Sequence, residues 1–428
     1  MSKILLGIVA DDFSGASDAA SFLVKQGIKT LLFNGVPKAP IEDLKEDMAI
    51  VVALKTRTEE TSKAVSESLA AFQWLKQNGA KQFFVKYCST FDSTKVGNIG
   101  PIIDSVLEKY GINYTILAPA LPVNGRIVKD GHLIVNGVPL HETHMRFHPL
   151  TPMWDSDLAN LMEPQGKYQS LKINHELLEL SNEEILKIIE EFGQNKEHFY
   201  IIPDYIEEKH AVKIVELFGD LPLLTGGSGL MEELGRKYIS ENNSKSDYVA
   251  SSTNGKAIIL AGSCSAATLQ QIEEFKSNHD THFRIDPLEL INGKQTKEKL
   301  WKQIEACNAE AVLVYSSDKP DSVKEAQRAG VEKVSELLEQ TTAYLAKKAV
   351  ESGFNRIIVA GGETSGAVTK ILGYDAYIIG ESIAPGVPIM VPMENKNVRL
   401  VLKSGNFGQK DFFMRAVDMT KGDLYVKP

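Results

Sequence analysis

The sequence predicts an α/β protein of two domains, each a mainly parallel sheet flanked by helices, with an antiparallel hairpin inserted in the first. Three observations predict it. Apolar runs of strand length alternate with helical stretches along most of the 428 residues. The alternation breaks over 122–140, where Asp130-Gly131 and Asn136-Gly137 read as hairpin turns because both pairs accept positive φ. A Ser/Asn/Thr-rich stretch, NNSKSDYVASSTNG at 242–255, has no apolar periodicity and separates two α/β series. The expected division is a first domain over 1–243, a linker over 244–255 and a second domain over 256–428.

In the first domain, strands are expected at 4–9, 29–33, 49–54, 82–87, 114–118, 199–202 and 221–225. Helices are expected at 19–24, ended by Gly27, and at 59–77, 99–110, 183–192 and 207–218. Pro101 falls in the first turn of its helix, where a missing N–H costs nothing. Residues 141–154 show little periodicity and read as a loop holding His141, His144, Arg146 and His148. In the second domain, strands are expected at 257–261, 283–285, 311–315 and 356–360, with two more over 388–403. Its helices are expected at 266–276, 296–306, 322–351 and 367–372, the last stopped by Gly373.

Composition narrows the function. Hydrophobic residues make up 43% and charged residues 24%, enough apolar material for large cores. The net charge of −9 argues against nucleic-acid binding through a basic surface and against docking on an anionic membrane. It leaves an anionic small molecule open, since one local Arg or Lys can hold a carboxylate. Cys88, Cys264 and Cys307 give neither a disulfide framework nor a metal pattern and read as reduced thiols. The first apolar run is short and meets two aspartates at once, unlike a signal peptide, so a cytoplasmic protein is expected.

Polar residues gather where strands end, which is where ligands bind in open parallel sheets. Asp11 and Asp12 follow the first strand, and a carboxylate there can bind Mg²⁺ or take a proton from an attacking hydroxyl. Asp18 reads as a helix-capping residue. The run Lys86-Tyr87-Cys88-Ser89-Thr90-Phe91-Asp92-Ser93-Thr94 packs hydroxyls, a carboxylate and an ammonium group into nine residues. Such a loop can grip a polyhydroxylated acid, with Lys86 on its carboxylate. Arg57 is a second candidate carboxylate clamp, because its planar fork pairs bidentately. In the second domain Gly361-Gly362-Glu363-Thr364-Ser365-Gly366 joins a strand to a helix and offers backbone N–H groups to an anion. Gly262-Ser263 and Ser404-Gly405 follow two other strands, so three such turns suit one nucleotide cleft. None matches GxxxxGK[ST] or GxGxxG. Thr225-Gly226-Gly227-Ser228-Gly229 could bind an anion or serve as a close-packing turn. The histidine spacing fits no metal-ligand set, no metal-ligating residue is assigned, and how Mg²⁺ is held stays open.

Taken together, GIVADDFSGASDAASFL, KYCSTFDSTKVGNIGP, PVNGRIVKDGHLIV, HETHMRFHPLTPM, TGGSGL, AGSCS, VAGGETSGAV and LKSGNFG resemble the four-carbon acid sugar kinase family, in order and over nearly the whole chain. CSTFDST and HETHMRFHPLTPM point to its subgroup acting on 3-oxo-tetronates. Ser14 stands where the family usually has Thr, and Lys95 where it often has Pro. The resemblance implies an acid-sugar domain followed by an ATP domain, with transfer to the 4-hydroxyl across the cleft. Asp11, Arg57 and the loop Thr90, Phe91, Asp92, Ser93 fall where the family binds substrate. Ser263, Gly361, Gly362, Glu363, Thr364 and Gly405 fall where it binds ATP.

The expected chemistry uses ATP with Mg²⁺, a small acid sugar, and Asp12 or Asp92 as general base. A D-threonate or D-erythronate kinase of the same family is the alternative, and a homodimer is left open. From other classes, an acid-sugar dehydrogenase would need the absent GxGxxG fingerprint. A non-catalytic acid-sugar sensor would normally carry a DNA-binding motif or partner surface, and none is visible.

Overall fold

The computed structural model describes residues 4–41, 47–147, 151–242, 252–316 and 331–422. The chain divides into two compact units, Met1–Asp247 and Tyr248–Pro428.

The first unit is organised on strands β1 (Ile4–Ala10), β2 (Thr30–Asn34), β3 (Met48–Ala53), β4 (Phe83–Lys86) and β11 (Leu223–Gly226). They pair in parallel in the order β11-β4-β1-β3-β2. β1 (ILLGIVA) and β3 (MAIVVA) are continuous apolar runs because helices cover both sheet faces. All six residues of β3 are buried. Helix α1 (Phe13–Lys25) starts on Asp12, whose side chain accepts the Gly15 N–H. Helix α2 (Thr61–Gln77) carries β3 over to β4, and α3 (Ile99–Tyr110) follows β4. A smaller parallel sheet joins β5 (Tyr114–Ile116), β10 (Phe199–Pro203) and β9 (Ser170–Ile173) in the order β5-β10-β9.

The insertion is the antiparallel ribbon β6 (Arg126–Lys129), β7 (His132–Val135) and β8 (Val138–Pro139). Its turns use Asp130 and Gly131 at φ 52° and 76°, then Asn136 and Gly137 at 50° and 82°. These are the positive angles the two dipeptides were expected to supply. Residues 140–147 are not an irregular loop but two short 3₁₀ segments, Leu140–Glu142 and His144–Phe147. His148 lies outside the described residues.

The second unit holds β12 (Lys256–Ala261), β13 (His282–Arg284), β14 (Ala311–Tyr315), β15 (Phe354–Ala360) and β18 (Arg399–Lys403). They are parallel in the order β18-β15-β12-β14-β13. β17 (Val387–Pro392) pairs antiparallel with β18, and β16 (Ala376–Ala384) with β17. Ile259, Phe275, Leu313, Ile358, Val401 and Phe412 belong to its core. Of the helix expected at 322–351, Val331–Glu351 is seen, and 322–330 lie outside the described residues. Residues 252–255 are docked on the second unit: Thr253 N–H donates to Thr420 O at 2.9 Å, and Gly255 O accepts from the buried Arg356 Nε at 2.9 Å. Among the described residues no helix is long and apolar enough to cross a membrane.

Candidate functional site

Strand order brings separate loops together. β3, β1, β4 and β11 are neighbours, so the residues after their C-terminal ends meet along one edge of the sheet. These are Arg57, Asp11 with Asp12, the Lys86–Ser93 loop, and Gly227-Ser228. Arg57 is the centre. Its Nε donates to Asp11 Oδ2 at 2.8 Å and its Nη2 to Asp11 Oδ1 at 3.0 Å. The same Nη2 lies 2.9 Å from Asp12 Oδ2, and Nη1 lies 3.8 Å from Asp92 Oδ2. One guanidinium thus faces three carboxyl groups, and its single charge offsets only part of their mutual repulsion. Burial opposes the charge, but Asp11 and Asp12 hold the Arg57 guanidinium well above its ordinary value. Burial pushes the Asp11 carboxyl up, against the pull of Arg57.

The three acids are not equally accessible. The Asp12 side chain is 34% exposed, against 11% for Asp11 and 8% for Asp92. Asp92 is fixed from behind, accepting the Thr90 hydroxyl at 2.6 Å, and Thr90 Oγ1 lies 2.9 Å from Cys88 Sγ. Burial, then the charge of Asp92, pushes the Cys88 thiol up to about 11, so it stays protonated. Ser93 donates to Gln165 Oε1 at 3.0 Å, which also accepts the Gly100 N–H at 3.1 Å. The loop is thus tied to α3 and to the 165 turn. Phe91 is fully buried and meets Tyr87 edge-on, 5.3 Å between ring centres. Its φ of 51° is uncommon for a residue with a Cβ, so it shapes the loop rather than offering its ring to a ligand. Lys86 is buried, and its ammonium donates to Tyr87 O at 2.9 Å.

Arg57, a candidate clamp for a substrate carboxylate, holds Asp11 and Asp12 through Nε and Nη2 and leaves Nη1 3.8 Å from Asp92. One expectation changes: Asp12, not Asp18, caps α1. Asp18 sits buried in the helix and accepts the Ser228 hydroxyl at 2.5 Å. That contact spans 210 positions, which is why no local signal announced it.

In the second unit β18, β15 and β12 are neighbours, so their glycine turns converge. Gly262 and Ser263 N–H groups both donate to Ala360 O, and Gly361 N–H to Lys403 O at 3.0 Å. Gly361 has φ 127°, open in practice only to glycine. A Cβ on Gly405 would lie 2.3 Å from Ser263 Oγ, so a larger residue there would force that hydroxyl to move. Thr364 Oγ1 faces the same point, 3.2 Å from where a Gly361 Cβ would stand. The helix Gly362–Leu372 begins there without a side-chain cap, and its first N–H groups could hold an anion. Glu363 is exposed in its first turn. Ser263, Gly361, Gly362, Thr364 and Gly405 thus gather at one place. Sequence reasoning missed Lys403 beneath them. It is buried and donates to Gly405 O at 2.8 Å and Thr268 Oγ1 at 3.0 Å, and burial pushes its ammonium down to about 8.

Among the described residues, Asp130, His175 and Asp204 bring possible metal-binding atoms within 4.8 Å. Asp204 is already taken, however. It accepts the N–H groups of Asp130, Gly131 and His175 at 2.8, 3.0 and 2.9 Å, which fixes the first hairpin turn.

Comparison with known proteins matches both parts of the chain. Residues 6–234 match the family described as the sugar-binding N-terminal domain, and residues 258–413 that of the nucleotide-binding C-terminal domain. The chain is therefore a two-domain protein of the class that joins a sugar-binding to a nucleotide-binding domain. A 3-oxo-tetronate kinase from Brucella melitensis is 41% identical over 96% of this chain and 94% of its own length. One from Haemophilus influenzae is 40% identical over 97% of this chain and 100% of its own length. The chain belongs to the 3-oxo-tetronate kinase family. A Salmonella typhimurium protein, described as a candidate tRNA synthase, shares the fold with TM-score 0.89 and 37% identity, covering 96% of this chain and 98% of its own. A Haemophilus influenzae crystal structure matches with TM-score 0.83 and 39% identity, covering 96% and 99%.

Proposed function

We propose that the chain transfers the γ-phosphoryl group of ATP to the 4-hydroxyl of a 3-oxo-tetronate, as a cytoplasmic enzyme of four-carbon acid sugar breakdown. The observation that carries the reading is the Arg57 cluster: three carboxyl groups gathered on one guanidinium at strand ends, with only Asp12 substantially open to a ligand. The names of the relatives supply the substrate, and the glycine cradle of the second unit suits the phosphates of the nucleotide.

In this reading Asp12 orients the 4-hydroxyl and accepts its proton as the oxygen attacks phosphorus. Asp92, more buried and bonded to Thr90, shapes the sugar pocket and is the second candidate base. Lys86 faces the acid sugar with its remaining ammonium protons. Ser263, Gly361, Gly362, Thr364 and Gly405 hold the phosphates through N–H and hydroxyl donors. Glu363 is the exposed carboxylate that could help hold a Mg²⁺ ion, which would supply charge neutralisation for the phosphates. Positioning and electrostatics then account for most of the rate. A tRNA-directed activity, the description of the Salmonella relative, is disfavoured by the net charge of −9.

The test is ADP release with ATP, Mg²⁺ and a panel of 3-oxo-tetronates, D-threonate and D-erythronate. The 3-oxo acids should be the preferred acceptors. A preference for threonate or erythronate would move the chain to the alternative kinase reading, and no stimulation by any acid would refute the kinase reading. Asp12→Asn should lower turnover about 100-fold or more. If Asp12→Asn and Asp92→Asn both keep wild-type turnover, neither is the base.

A further inference from the structure

Arg126 opens β6, at the foot of the hairpin insertion. Its Nε is buried with no hydrogen-bond partner, and its guanidinium enters no ion pair among the described residues. A buried N–H of this kind is costly unless something accepts it. Asp18 presents the complementary vacancy. Oδ2 takes the Ser228 hydroxyl, but Oδ1 is buried and takes nothing.

These groups belong to one place. Val128 of β6 exchanges backbone hydrogen bonds with Tyr205 at 3.0 and 2.9 Å, and the Tyr205 hydroxyl donates to Gly229 O at 3.0 Å. Gly229 is the neighbour of Ser228, which holds Asp18. Gly227 N–H donates to Ala118 O, so the chain just before the insertion is bound to the same turn. Lys86 Nζ lies 3.1 Å from where a Gly15 Cβ would stand, one helical turn before Asp18, and Lys86, Asp12 and Arg126 all act electrostatically on the Asp18 carboxylate. Lys86 enters no ion pair among the described residues and makes one hydrogen bond, to its neighbour's carbonyl. Arg57, in contrast, is occupied by Asp11 and Asp12.

Around Asp18 there are thus two cations without a carboxylate in contact and one acceptor oxygen without a donor. That is the complement of a hydroxy acid: a carboxylate for the cations and an O–H for Oδ1. We propose that Arg126 binds the substrate's carboxylate, with Lys86 beside it and Asp18 Oδ1 accepting a hydroxyl of the same molecule. The proposal rests on the acid-sugar reading above and moves the clamp from Arg57 to Arg126.

The test compares wild type with Arg126→Gln and Arg126→Lys. Binding of the 3-oxo-tetronate is measured by calorimetry, and turnover is measured on that acid and on the neutral four-carbon ketose that lacks its carboxylate. Arg126→Gln should weaken acid binding about 100-fold, as expected for losing charge-assisted hydrogen bonds. Its ATP KM should be unchanged, and its preference for acid over ketose should collapse. Arg126→Lys should fall between. Acid binding within about twofold of wild type in Arg126→Gln, or equal losses on acid and ketose, would overturn the proposal. If wild type binds the acid without phosphorylating it, the kinase reading fails, while loss of that binding in Arg126→Gln still supports Arg126. If Arg126→Gln does not fold, wild-type acid binding in Arg126→Lys decides against the proposal and intermediate binding for it.

Discussion

The two units place their sites at the same topological position and build them from opposite materials. In the first unit the strand ends carry acidic and basic side chains: Asp11, Asp12, Asp92, Arg57 and Lys86. In the second they carry glycines, hydroxyls and backbone N–H groups. In the proposed reading the difference follows from what each would recognise. A phosphate chain is a dense anion that any array of N–H donors can hold, so side chains there mainly need to stay out of the way. An acid sugar has a carboxylate, a carbonyl and hydroxyls in a fixed order, and only varied side chains can read that order. The first site is therefore vulnerable to loss of charge, the second to gain of volume.

The largest expected effect comes from breaking the charge balance. Arg57→Gln leaves Asp11 buried without its counter-ion and should destabilise the first unit by about 3 kcal/mol, with activity lost. Adding Asp11→Asn should restore much of the stability but not the activity. Urea unfolding reads both, and a single variant as stable as wild type would mean the cluster contributes nothing to folding. Next is Gly405→Ala, whose new methyl would collide with Ser263 Oγ. It should weaken nucleotide binding roughly 10-fold and leave acid-sugar binding alone. Removing the obstacle in Gly405→Ala/Ser263→Ala should recover part of the loss; a double variant no better than the single would contradict the collision.

The smallest effect sharpens the contrast by looking for charge in the glycine site. The Lys403 ammonium, pushed down to about 8, is partly neutral above that pH in the free protein. A bound polyanion favours the charged form and raises this value. Nucleotide binding near pH 8.5, a value of about half a unit above it, should therefore take up protons, and uptake should vanish well below pH 8. Calorimetry in two buffers of different ionisation enthalpy measures it. Identical uptake in Lys403→Met would assign the proton elsewhere.

Much of this architecture was legible in the residues. Continuous apolar runs such as MAIVVA announce buried parallel strands, and the two hairpin dipeptides gave their turns. The elements that escaped notice lack such signals. β16 reads AYIIGESIA, where Gly380 and Glu381 interrupt the apolar run, so it did not stand out as a nine-residue strand. The helix Phe412–Thr420 follows a glycine turn and packs its aromatic face on the core, which no local pattern required. The candidate site was half legible. Its strand-end loops could be picked out because chemistry gathers there. Which charge meets which could not, since Arg57 meets Asp11 across 46 positions and Ser228 meets Asp18 across 210. Arg126 looked like one polar residue of a ribbon.

Phe91 has a consequence for the heat of binding. A left-handed backbone at a buried aromatic costs about 1 kcal/mol or more, and the fold has already met that cost before any ligand arrives. Replacing it with glycine would relax the angle but give the loop many new shapes in solution. The acid sugar would then have to freeze them. Its association with Phe91→Gly should become more unfavourable in entropy, while the contacts themselves, and so the enthalpy, change little.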